Sequence, residues 1–118
     1  MRSDADRVND ILNATAKIRE RVTDTIDAFQ RDEMLQVWVI HHLQVIGEAA
    51  RGVSQSLKER HPEVPWPQIV ALRNILVHEY FGLNMYQVWT MIQKDLPKLE
   101  EQVRHIRSQI APDSGFGA

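Results

Sequence analysis

Ala71-Leu-Arg-Asn-Ile-Leu-Val-His-Glu-Tyr80 sets an arginine, an asparagine, a histidine and a tyrosine within eight residues of an otherwise apolar segment. Arg73 is the only Lys or Arg between His61 and Thr90. Arginine is rarely buried without a partner, so a lone guanidinium among Ile69, Val70, Leu72, Ile75 and Leu76 must find an anion or lie at an edge. Chemically the set is suggestive. Arginine grips phosphate through a planar fork, and histidine gives and takes protons near neutral pH. Together they suffice for phosphodiester cleavage without a metal.

Working outward, His61-Pro-Glu-Val-Pro-Trp-Pro67 precedes the segment, and its three prolines cannot sit inside a helix. Pro67 suits the first turn of the next helix, where its missing N–H costs nothing. A short helix is therefore predicted over about Pro67 to Glu79. Phe81-Gly-Leu-Asn84 ends it, with Gly82 as C-terminal punctuation and Asn84 available to cap the fourth helix.

Helix two is predicted from about Arg31 to about Arg60. Leu35, Trp38, Val39, His42, Ile46, Ala49, Val53 and Leu57 hold the helical period. Val37, Ile40, Leu43 and Val45 spread apolar surface around the circumference, more than one core can cover, which asks for a partner and makes a dimer interface plausible. Gly47-Glu48-Ala49-Ala50 supplies small residues where another backbone can approach closely. Helix one begins at a Ser3-Asp4-Ala5-Asp6 cap. Its stripe of Val8, Ile11 or Leu12, Thr15, Ile18, Val22, Ile26 and Phe29 is core. Helix four carries Met85, Val88 or Trp89, Ile92, Leu96, Leu99, Val103, Ile106 and Ile110. Because that stripe stays in phase across Pro97, a kink is expected there and not two helices. The tail, 111–118, is expected to fray.

The 118 residues (13.7 kDa) suit a single all-α domain over 1–118, able to bury roughly 65% of its unfolded surface. Absence of cysteine excludes disulfides, thiolate metal sites and cysteine nucleophiles. No stretch reads as a signal peptide or membrane span, so the expected location is the cytoplasm. Net charge is −2 and both signs are mixed along the chain. No basic arm exists, and contact with nucleic acid must come from a local patch assembled by folding or subunit pairing. Lys94, Lys98, Arg104 and Arg107 read as a solvated face. His41 and His42 are adjacent, point about 100° apart on a helix, and so do not form a metal pair: His42 is expected in the core and His41 at the surface or an interface.

Arg73, four residues, His78, one residue, Tyr80 resembles the Arg-x4-His-x-Tyr signature of the HepT-like branch of the HEPN superfamily. Gly47-Glu48-Ala49 resembles an element of that family on the helix before the catalytic one, and Trp66 and the four-helix plan agree. The resemblance implies an antiparallel four-helix bundle that dimerises, with a composite active site across the twofold axis. It implies a ribonuclease toxin of a toxin-antitoxin pair, with Arg73 and His78 catalytic, Asn74 supporting, and no cofactor or metal. A cognate nucleotidyltransferase antitoxin would attach AMP to Tyr80.

Geometry supports the need for two copies. On an ideal helix Asn74 and His78 lie about 40° apart, whereas Arg73 and His78 diverge by about 140°. From spacing alone, His78 reads first as a helix-capping histidine and Tyr80 as a core tyrosine with its hydroxyl at the surface. A second function class stays open: a non-catalytic helical adaptor that docks the nucleotidyltransferase through Arg73 and His78.

Overall fold

The computed structural model describes residues 2–22, 25–78 and 84–115, with side chains described except at 77, 78 and 111–115. Among the described residues there are six helices and no strand: α1 (Asp4–Arg21), α2 (Ile26–Arg31), α3 (Glu33–Gly52), α4 (Gln55–Arg60), α5 (Trp66–His78) and α6 (Met85–Gly115).

The first and second predicted helices each divide. In both cases a hydroxyl side chain starts the second piece. The α1 helix opens on a reciprocal cap: Asp6 N–H donates to Ser3 Oγ (3.1 Å) and Ser3 N–H to Asp6 Oδ2 (3.0 Å). It closes at Val22, whose backbone is extended. Thr25 then accepts from Ala28 N–H at 3.1 Å and launches α2. The apolar stripe stays in phase, so periodicity alone could not show the break. Asp32 caps α3 through Leu35 N–H (3.0 Å), and Gln36 donates to the carbonyls of Phe29 and Gln30 at the end of α2. The second division falls at extended Val53. Ser54 accepts from Leu57 N–H (3.2 Å), while its own N–H and hydroxyl donate to Asp4. One carboxylate in the first turn of α1 thereby fixes the corner between α3 and α4.

The proline-rich turn is fastened from within. Trp66 N–H donates to the carbonyl of Val64 and its indole N–H to that of His61. Asn84 caps α6 by accepting from Tyr86 and Gln87 N–H, as expected. α6 then runs through Pro97 as one helix, also as expected, because its stripe of Val88, Ile92, Leu96, Leu99, Val103 and Ile106 stays buried on both sides of the proline.

α3 is the centre of the molecule. It packs against α1 on one side and α5 on another, while α6 packs mainly against α1. Val8, Ile11, Ile18, Phe29, Val39, Leu43, Ile46, Leu57, Val103 and Ile106 form the fully enclosed core. A cleft of about 350 Å³ separates α5 from α6, floored by Leu43 and Ile46 of α3. No helix among the described residues is long and apolar enough to cross a membrane.

His42 is buried, as the sequence leads one to expect, with its ring 4.5 Å from that of Trp38 and 4.9 Å from that of exposed His41. Its Nε2 has no hydrogen-bond partner among the described residues. Burial first, then the nearby positive charge that His41 and Lys17 can carry, holds its pKa below the ordinary 6.5. The folded protein thus resists a proton that the unfolded chain accepts. Stability must fall as pH drops below 6.5 towards the lower folded value. Thermal melts between pH 7.5 and 5.5 should show this loss in wild type and a flatter profile in His42→Leu; parallel profiles would contradict the assignment.

Candidate active site

Arg73 sits where α5 crosses α3, and the crossing is set by a missing side chain. A Cβ on buried Gly47 would lie 2.6 Å from Arg73 Cβ, 3.1 Å from the Ile69 carbonyl oxygen and 3.3 Å from Arg73 Cα. Two of these three atoms belong to backbone, so only glycine lets the helices approach this closely. The next residue supplies the anion that an isolated guanidinium requires. Glu48 Oε1 forms an ion pair with Arg73, 3.3 Å from its Nε, and its other oxygen lies 3.7 Å from Arg51 Nη1. Ala49, the third residue of the triplet, turns into the core.

The guanidinium is also steered from its own helix, since Arg73 Nη1 donates to Asn74 Oδ1 at 3.2 Å. Nη2 makes no bond among the described residues. The side chains of Arg73 and Glu48 are 34% and 51% exposed, and a pair so open to water contributes only about 0–1 kcal/mol to folding. Both outcomes foreseen for Arg73 are met: it finds an anion and it lies at an edge.

His78 is the last residue of α5. Five residues after Arg73, its backbone is about 7.5 Å further along the helix axis. Its side chain and the whole of Tyr80 lie outside the described residues, as does Gly82. The structure therefore brings together Arg73, Asn74 and Glu48 of the polar set. Glu48 is the member that sequence reasoning placed only as part of a close-packing element. The signal was available: a cation without a local counter-charge, and one acidic residue beside the glycine of the preceding helix.

Other predicted features resolve simply. Among the described residues, no group of three or more His, Asp or Glu is placed to hold a metal ion. Arg104 pairs with Glu100, as does Arg19, and Arg107 donates to Asn9, while Lys94 and Lys98 are exposed. The cleft between α5 and α6 is lined by Leu72, Ile69, Met91 and Leu96, with Asp95 and Lys98 at its rim, but not by Arg73 or Asn74. In one copy of the chain Arg73 stands on an open shoulder. Met34 and Val37 of α3 and Ile75 of α5 are exposed, at 84%, 50% and 43% accessible.

Comparison with known proteins assigns this all-helical scaffold to a class. Residues 11–106 match the model of the family described as "Ribonuclease HepT-like", and the chain belongs to that family, within the HEPN superfamily. Among its relatives are the protein named "Putative RNase MJ1380" of Methanocaldococcus jannaschii, 37% identical over 95 residues, covering 80% of this chain and 87% of the relative. "Putative RNase TTE0752" of Caldanaerobacter subterraneus is 37% identical over 97 residues, covering 81% and 87%. "Probable ribonuclease HepT" of Thermococcus cleftensis is 33% identical over 107 residues, covering 90% and 97%. No solved structure gives a significant match.

The packing makes a direct prediction. Gly47→Ala forces α5 away from α3, because the Ile69 carbonyl and the Arg73 backbone cannot rotate aside. Overpacking of this kind costs about 1–3 kcal/mol, so the thermal midpoint should fall by several degrees. An unchanged midpoint would show that the crossing is looser than described.

Proposed function

We propose that this chain is the toxin of a toxin-antitoxin pair: a metal-independent endoribonuclease that acts as a homodimer of antiparallel four-helix bundles. The observation that carries this reading is Arg73, placed at the surface beside Glu48 and Asn74 with no bond to Nη2 among the described residues. Membership of a ribonuclease family supports RNA as the substrate.

RNA carries its own nucleophile, the 2′-hydroxyl beside the scissile phosphate. His78 removes the proton from that hydroxyl or delivers one to the departing 5′-oxygen, and the histidine of the second copy takes the other role. Arg73 holds the nonbridging oxygens and stabilises the charge that gathers on the phosphorane. The O–P bond to the 2′-oxygen forms as the bond to the 5′-oxygen breaks, leaving a 2′,3′-cyclic phosphate. Two copies are required because Arg73 and His78 diverge around one helix. The accessible Met34, Val37 and Ile75 on α3 and α5 offer apolar surface for that association.

Regulation follows from Tyr80. A nucleotidyltransferase partner transfers AMP from ATP to its hydroxyl, the bond from the α-phosphorus to the departing pyrophosphate breaking as the tyrosine oxygen bonds, and the added bulk and negative charge two residues from His78 exclude an RNA phosphate. A second reading keeps the same partner but no catalysis: a helical adaptor whose Arg73 serves only to bind. The net charge of −2 favours it, since nucleic-acid binding usually draws on excess Lys and Arg.

Cleavage of RNA in EDTA decides between the two. Purified protein shown by intact mass to be unmodified should cut RNA to cyclic-phosphate ends; His78→Ala should abolish cutting, and Arg73→Lys should reduce it at least about a hundredfold by removing the planar fork. No cutting by wild type across varied RNAs, or equal cutting by His78→Ala, would leave the adaptor reading. Incubation with the partner enzyme and ATP should add one AMP to wild type and none to Tyr80→Phe.

A further inference from the structure

We propose that Glu48 is a positioning residue for Arg73, fixing the guanidinium so that its terminal edge faces the RNA phosphate. This rests on the ribonuclease reading above. The root and the head of Arg73 are held by consecutive residues of α3. Gly47 sets the position of the Arg73 backbone, through an approach that leaves no room for a Cβ. Glu48 Oε1 then pairs with the head, 3.3 Å from Nε. Between root and head the side chain has four rotatable bonds, and without a restraint at its head an exposed arginine samples many of them.

The choice of atom matters. Glu48 engages Nε and Asn74 Oδ1 engages Nη1, so neither fully occupies the end of the fork. Among the described residues nothing bonds to Nη2 or to the second hydrogen of Nη1, and that spacing matches two oxygens of one phosphate. A carboxylate on the terminal edge would compete with phosphate; one on Nε aims the edge instead. Glu48 is half exposed, so packing does not force it into this rotamer, and it is also drawn by Arg51 at 3.7 Å. Each of its two oxygens thus faces one guanidinium.

Such a residue acts on the rate of the chemical step more than on substrate binding. The test measures kcat and KM for cleavage of a labelled single-stranded RNA oligonucleotide, with thermal melts to establish folding. Glu48→Ala should lower kcat about tenfold or more while KM stays within about twofold. Glu48→Gln, whose amide oxygen can still accept from Nε, should recover most of the rate. Arg51→Ala should leave both constants unchanged. In an Arg73→Lys background, which lacks Nε–H, Glu48→Ala should cause no further loss.

If Glu48→Ala does not fold, Glu48→Asp takes its place, because the shorter side chain keeps the charge but withdraws it from Nε; the same fall in kcat is expected. A rate unchanged or raised by removal of Glu48, or a loss equally large in the Arg73→Lys background, overturns the proposal and leaves the ribonuclease reading intact. Wild type that cleaves no RNA overturns both.

Discussion

The contact between Gly47 of α3 and the backbone of α5 at Ile69 and Arg73 governs the rest of the structure. α3 is the helix against which both α1 and α5 pack, so the depth at which α5 lies on it decides where the polar set stands. A single hydrogen in place of a methyl group brings the root of Arg73 against α3 and leaves its head at the rim beside Glu48. The core alone would not specify this. Leu43, Ile46, Ile69 and Leu76 could be buried at several helix separations, and the glycine selects one.

Under the proposed ribonuclease reading, the same contact reconciles an acidic chain with chemistry on an anion. Attraction over the whole surface is weak at a net charge of −2. A phosphate would be recognised instead by the geometry of one fork, steered at Nε by a carboxylate and at Nη1 by an amide. The cost is small in stability, since the pair is exposed, and the gain is order in a side chain that water would otherwise let wander.

Much of the fold could be read from the chain. Three apolar stripes gave α1, α3 and α6 and the proline-rich turn gave the shorter α5, while the caps at Ser3 and Asn84, the break at His61–Pro67 and the opposite fates of His41 and His42 followed from local chemistry. The divisions at Val22 and Val53 did not, because the stripe runs in phase through both. There a hydroxyl cap competes with one more turn of helix, a balance of about 1 kcal/mol that periodicity does not register. At the site, the need of Arg73 for an anion was legible from its isolation. Glu48 was marked only indirectly, as the acidic residue beside Gly47, because the pair joins residues 25 positions apart through a tertiary crossing. The roles of His78 and Tyr80 rest on the motif's spacing alone, since the His78 side chain and Tyr80 lie outside the described residues.

The arrangement of α5 has one more consequence. Its packing is concentrated on α3, with the cleft beside it and α6 beyond, so it is bound to the molecule along one flank. Elements held in this way open more readily than those wrapped on several sides, and exchange their amide protons sooner. The helix carrying the polar set therefore belongs to a softer cooperative unit than α1 and α3. Whatever binds along it can stiffen it without altering the other helices, so that order in this one helix reports whether the protein is alone or engaged.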